Sequence, residues 1–273
     1  LGVVVIGVAG IPTELGLEMY GEKEVSLPRF TGYISRGLLL TLIRRMDPKE
    51  AQELHEPQRQ KPYSVTPLRF KSKARTAEGY VLDPAYPCRV KFRFLEDGPV
   101  RTLIDYFAGK ESVAIFDTTF KVASMQLKSA TYQDLESAEP VRSFRLVFRS
   151  PTYLSSMGSK YDFLFPDPVL VFSSLMRLWD EYSTSRKFGK DGLQAYKEWL
   201  ERHIGVSEYS LGTVLANIGR KKAVGFEGWA TYETDTQDEW NRVTVTLARF
   251  AEYSNIGGNR TGGFGETRIV VKG

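Results

Sequence analysis

Apolar residues recur along this chain at two periods, and the changes between them mark out its elements. Residues 89–94 alternate charge with apolarity (Arg89, Val90, Lys91, Phe92, Arg93, Phe94), which predicts a strand with one wet face. Further back the period is helical. Ile34, Leu38 and Leu42 share a face after Pro28, with Arg29, Arg36, Arg44 and Arg45 around it. Asp47 followed by Pro48 predicts a short second helix closing at Leu54 and His55, since Asp suits the N-cap and Pro the first helical position. A polar loop over 56–62, a strand over 63–70 and a basic connector over 71–75 come next. Residues 99–107 read as a helix, and 112–127 as strand material bent near Asp117. Together with an apolar strand over residues 1–10, the first half reads β-α-β-β-α-β.

The second half repeats that order with one helix more. A polar, acidic linker over 133–140 leads to residues 141–149, where Phe144, Leu146 and Phe148 alternate on one side. Asp167 and Pro168 cap a helix bearing Val169, Phe172, Met176 and Trp179, and another carries Leu193, Tyr196 and Leu200. Two strands, over 207–218 and 223–233, flank the basic tip Gly219, Arg220, Lys221, Lys222. Thr236 and Glu239 read as a capping box opening a helix with Trp240, Val243, Leu247, Phe250 and Ala251 on one stripe. Two such units predict an α+β fold of tandem ferredoxin-like (RRM-like) domains, antiparallel sheets with helices on one face, over 1–135 and 140–273. RNA-recognition motifs share that architecture, but their consensus of exposed aromatics is absent.

Composition narrows the chemistry. With 273 residues and 42% hydrophobic content the chain can bury real cores. Its 37 Lys and Arg against 33 Asp and Glu leave a net charge of +4, compatible with a polyanionic partner. The single cysteine, Cys88, excludes an intrachain disulfide framework and fits a reducing, cytoplasmic compartment. Only two histidines, His55 and His203, are present, so no metal site and no cofactor is expected. The apolar run over residues 1–10 is far short of the roughly 20 residues a membrane helix needs, so no membrane partner is expected.

One stretch stands apart, the glycine-rich loop over 255–265. So many glycines admit positive φ and close approach, which makes the loop a candidate contact surface. A dinucleotide fingerprint would follow a strand and open a helix. Here a helix runs in and the β-rich residues 267–272 run out. The loop resembles the C-terminal loop of the RAMP superfamily, and within it the CRISPR repeat-RNA-processing endoribonucleases of the Cas6 type. Their signature is Gly-hydrophobic-Gly, five residues with a Lys or Arg, and Gly-hydrophobic-Gly again. Asn255, Ile256 and Gly257, then residues 258–262 with Arg260 inside, then Gly263, Phe264 and Gly265 fit it, with Asn in place of the first glycine. Asn tolerates the left-handed region best after glycine.

RNA can be cut without metal when the adjacent 2′-OH attacks the phosphate in line, helped by a base, an acid and a cation. Taken alone, His55 reads as a cation complementing a helix C-terminus, and so does His203. The resemblance changes the reading of His55 only. Leu54, His55 and Glu56, with Lys61 six positions after His55 and Pro62, Tyr63 and Ser64 following, look like the family's catalytic segment. The resemblance therefore implies His55 as general acid or base and Lys61 as electrostatic stabiliser. It implies Gly257, Gly258, Arg260, Gly263 and Gly265 as RNA-binding, and with RNA as ligand the basic tip Arg220, Lys221 and Lys222, and Arg59, become candidate phosphate contacts. Some members add a tyrosine on the preceding helix, and alignment on Asp47 and Pro48 puts Leu40 there, so a dyad is expected.

What the family implies is metal-independent cleavage of CRISPR precursor RNA within repeats, leaving 2′,3′-cyclic phosphate and 5′-hydroxyl ends. Its partners would be the repeat RNA and subunits of an interference complex, with pairing of two copies left open. Two alternatives make different predictions. A non-catalytic RAMP-type RNA-binding subunit binds repeat RNA without cutting it. A small-molecule enzyme using the loop for phosphate has no affinity for that RNA.

Overall fold

The computed structural model describes residues 10–57, 60–155, 159–218 and 221–271. The strand expected over 1–10 therefore lies outside the described residues except for Gly10, as do Arg59 and Arg220 altogether.

The first half contains β1 (Thr13–Gly21), β2 (Val25–Pro28), α1 (Gly32–Met46), α2 (Pro48–His55), β3 (Tyr63–Val65), β4 (Ser72–Arg75), β5 (Gly79–Leu82), β6 (Cys88–Phe94), α3 (Gly98–Gly109), β7 (Ser112–Ile115) and β8 (Thr118–Ser129). Alternation in β1 turns Leu15, Leu17 and Met19 into the core, each at most 2% exposed, and leaves Glu14, Gly16 and Glu18 on the other face. β1 pairs antiparallel with β6 and β8, and the sheet order is β3-β6-β1-β8-β7. Without the added β7 this is the interleaved order of a ferredoxin-like unit. Leu38, Leu39, Leu42 and Ile43 of α1 and Leu103 and Tyr106 of α3 join Phe92 and Phe94 in one core. Cys88 lies within it, and burial pushes its thiol up to about 12.

Next come α4 (Tyr132–Glu136), β9 (Ser143–Thr152), β10 (Leu154–Ser155), β11 (Asp162–Phe163), α5 (Pro168–Tyr182), α6 (Gly189–His203), β12 (Ile204–Ile218), β13 (Lys221–Thr234), α7 (Glu239–Ser254) and β14 (Thr267–Val271). The sheet order β12-β13-β9-β14 repeats the first unit's pattern. Helices α5, α6 and α7 cover one face, where Phe172, Trp179, Tyr196 and Phe250 meet Phe144, Leu146 and Tyr232. The tandem ferredoxin-like reading is the observed fold.

Four local expectations need correction, each for a physical reason. Residues 63–70 are not one strand, because Pro67 offers no N–H to a ladder, and only Arg69 rejoins through a bridge to Arg89. Residues 72–75 of the basic connector form β4, which pairs with β5 in a separate sheet of order β2-β5-β4. The linker over 133–140 carries α4, since Tyr132 and Leu135, three apart, both enter the second core. Its capping box is Thr131 with Asp134, at 3.0 and 2.9 Å. α7 is capped by Asp238, whose Oδ1 accepts from the Asn241 N–H at 3.0 Å, and not by Thr236.

The wet face expected of β6 is covered at Arg93, only 4% exposed. Its Nε donates to Glu14 at 2.8 Å and its Nη1 to Asn255 at 2.6 Å. Asn255 opens the glycine-rich loop at φ 59° and ψ 170°, beyond the left-handed helical region and in territory otherwise kept by glycine. Its side chain holds it there. Nδ2 donates to Phe264 O at 2.8 Å within the loop and to Val65 O at 3.1 Å on β3.

The loop thus locks the two halves together. It turns through a single 3-10 turn, Arg260–Gly262, and packs backbone against backbone on the start of α1. A Cβ on Gly32 would lie 2.0 Å from Gly262 O, so the contact exists only with glycine at that position. Phe264, fully buried, meets Phe30 of the first half at 4.8 Å and Tyr153 of the second at 5.6 Å, both edge-on.

Gly32→Ala should lower stability by about 1–3 kcal/mol through overpacking. Gly37→Ala on the same helix has open space around the new Cβ and should raise stability by about 0.5–1 kcal/mol. Urea midpoints of the two variants check the contrast, and equal effects would discount the interlock. A second measurement concerns Glu14. Burial raises its pKa, but Arg93 and Lys91 outweigh that and leave it below the ordinary 4.5. A depressed carboxyl contributes stability above its unfolded pKa and loses it as pH falls through the folded one. Wild type should therefore lose stability below about pH 4.5 more steeply than Glu14→Gln in urea titrations between pH 6 and 3.

Candidate active site

α2 is short and capped as its sequence dictates. Asp47 Oδ1 accepts from the N–H groups of Lys49 and Glu50, both at 2.9 Å, and Pro48 takes the first position. His55 ends the helix, and its ring is exposed. Its Nδ1 lies 3.5 Å from Nη2 of Arg36, which α1 delivers from a partly covered position.

The chain then loops back on itself. Lys61 Nζ donates to the carbonyl of Glu56, the residue next to His55, so the loop returns the ammonium to the end of the helix that carries the imidazole. Other elements pin the same loop. Arg260 Nη2 donates to Lys61 O at 3.1 Å while its Nη1 donates to Ser254 O at 2.8 Å. The Tyr182 hydroxyl, from the end of α5, donates to Gln60 O. Burial pushes the Arg260 guanidinium down to about 10, so it keeps its charge at neutral pH. His55, Lys61 and Arg260 therefore belong to one neighbourhood at the seam between the halves.

The aligned position Leu40 sits in the first core at 8% exposure, an apolar side chain with no proton to give. Two tyrosines lie closer. Tyr33 accepts from Asn259 Nδ2 at 2.6 Å and so is tied to the glycine-rich loop. Tyr63 is fully buried, and its hydroxyl makes no hydrogen bond. Burial raises its pKa, with the Arg36 guanidinium beside it opposing. Arg36 and Tyr63 had no role in the sequence reading. A signal was available for Arg36, because residues 36 and 40 are one turn apart on the same helix face.

The candidate RNA-binding residues separate. Gly263 and Gly265 are buried, with φ of 87° and 73°. Gly257 and Gly258 are partly exposed and line a groove of about 450 Å3 with Arg177 and Lys197. Lys222 is exposed where β13 leaves the hairpin tip, paired with Asn217 of β12; Lys221 continues that strand. His203 Nδ1 sits 2.9 Å from Asp235, consistent with a purely local part for it. Among the described residues no three His, Cys, Asp or Glu side chains come together as a metal ion would need, and no helix is long and apolar enough to cross a membrane.

Comparison with known proteins finds likeness in part of the sequence and in the whole fold. Residues 146–267 match the family model described as CRISPR-associated endoribonuclease Cas6. No curated protein matches. Among solved structures the chain is similar to a Cas6 product complex, at 23% identity and TM-score 0.79 over 96% of this chain and 100% of that one. A Thermus thermophilus Cas6 matches at 23% identity and TM-score 0.75, over 97% and 100%. An RAMP protein binding different RNA substrates matches at 13% identity and TM-score 0.61, over 95% and 100%. At these identities the structural likeness speaks for the fold, and the family model speaks for the sequence. Residues 146–267 thus resemble the Cas6 endoribonucleases in sequence, and the chain as a whole shares the fold of the Cas6 structures.

Proposed function

We propose that this chain is a metal-independent endoribonuclease that cuts CRISPR precursor RNA within its repeats to release guide RNAs. The observation that carries the reading is the return of Lys61 onto the Glu56 carbonyl, which sets an ammonium beside the histidine at the helix end. The reaction is a transesterification. A base removes the 2′-OH proton, O2′ bonds to phosphorus, the bond from phosphorus to O5′ breaks, and O5′ gains a proton. A 2′,3′-cyclic phosphate and a 5′-hydroxyl remain.

His55 carries one of the two protons, the work that histidine side chains most often do in general acid–base catalysis. Lys61 stabilises charge on the crowded phosphate. Repeat RNA approaches the seam along Gly257, Gly258 and the Arg260 side of the loop, with Gly263 and Gly265 shaping that loop from inside. Arg59, Arg220, Lys221 and Lys222 hold other phosphates of the same RNA. Residues 1–135 then supply the cutting segment and 140–273 the gripping loop, and the guide passes to an interference complex.

The test is end-labelled repeat RNA incubated in EDTA. Wild type should cut at one position per repeat at the same rate with and without chelator. His55→Ala should slow cutting by about 10²–10⁴-fold and Lys61→Ala by about 10²–10³-fold. Tight binding without products would instead identify a guide-RNA-coating subunit, and no affinity for the repeat would reject both readings.

A further inference from the structure

Arg36 is a cation in a place where its surroundings use little of its capacity. A guanidinium offers five N–H donors and no acceptor. Among the described residues no carboxylate pairs with Arg36. Its neighbours are the Nδ1 of His55, at 3.5 Å, and the buried, unbonded hydroxyl of Tyr63. Such a contact constrains the imidazole. A ring nitrogen facing a group that can only donate must present its lone pair, so the ring proton resides on Nε2.

This contact is long, and an oxyanion would outcompete it. Charge-assisted N–H···O bonds from arginine run at about 2.7–2.9 Å and often come in parallel pairs. A phosphodiester brought to His55 offers two non-bridging oxygens within the guanidinium's reach.

Building on the nuclease reading above, we propose that Arg36 is the third catalytic residue, bound to His55 Nδ1 in the free protein and transferring to the non-bridging oxygens of the scissile phosphate when RNA binds. The transfer does two things at once. It places a cation on the oxygens where charge grows, and it frees the Nδ1 lone pair to take the 2′-OH proton. O2′ then bonds to phosphorus, the bond from phosphorus to O5′ breaks, and the leaving oxygen takes a proton from water. His55 is thereby the base. α1 supplies this group one helical turn before Leu40, so the site gains a cation where the resemblance had pointed to a phenol.

Two measurements test this separately from the nuclease reading. In the free protein, ¹⁵N shifts of His55 should show the Nε2–H tautomer, and Arg36→Ala should show a mixture. Single-turnover cutting of repeat RNA with a phosphorothioate at the scissile linkage comes second. Wild type should prefer one diastereomer by about tenfold, and Arg36→Ala should cut the ordinary RNA about 10²-fold more slowly with no such preference. Its urea midpoint should stay near wild type, which a merely structural arginine would not predict, and its affinity for RNA should fall far less than its rate. Arg36→Lys should recover part of the rate. If wild type cuts and Arg36→Ala keeps its rate or its diastereomer preference, the proposal fails alone. If wild type does not cut, the nuclease reading fails and takes the phosphate step with it, while the tautomer result still decides the contact.

Discussion

A backbone approach closer than any side chain allows governs this molecule. Where Gly32 opens α1 and Gly262 closes the 3-10 turn, a single added methyl would meet a carbonyl oxygen at 2.0 Å. The two ferredoxin-like halves can be brought that near only because Gly32 has no Cβ there, nor has Gly263, whose own Cβ would fall 2.6 Å from Gly32 Cα. Around this point the seam is polar as well as tight. Asn255 reaches β3, Arg93 reaches Asn255 and Glu14, and Phe264 fills the space between Phe30 and Tyr153. A strained residue persists only when its surroundings over-determine it, and the three side-chain bonds of Asn255 provide that.

The same seam fixes the candidate chemistry. The loop between His55 and Lys61 is polar and would wander if left to itself, since it has few apolar side chains to bury. It is held instead by hydrogen bonds from distant elements, through Arg260 and Tyr182. Glycines that look from sequence like an open cradle for a ligand serve in part to bring Arg260 to that loop. Only the Gly257 and Gly258 side keeps a face to solvent, along the groove with Arg177 and Lys197.

Local signals were readable wherever one residue decides local structure. Asp47 with Pro48 and Asp167 with Pro168 gave their helices directly, and the side-chain caps sit at 2.9 Å in both. Alternation in 89–94 and 141–149 gave the central strands. Tertiary covering was the part that stayed hidden. Arg93 reads as solvent-facing by period, yet a loop from 162 positions away lies over it. Residues 72–75 carry no apolar pattern because their sheet is anchored by Leu27 and Leu82 on its partner strands. His55 and Lys61 emerged from spacing and resemblance, whereas Arg36 offered only its place one turn before Leu40, and which of the three arginines of α1 turns toward the imidazole needed coordinates.

The order in which these parts leave a ribosome follows from the placement of the clamp. α1, α2 and the loop after His55 are synthesised early, but the guanidinium that braces Lys61 comes 199 residues later. At typical elongation speeds the interval is roughly 10–40 s. A nascent chain would thus hold the segment from His55 to Lys61 slack until Arg260 has been made, and would tighten it only then.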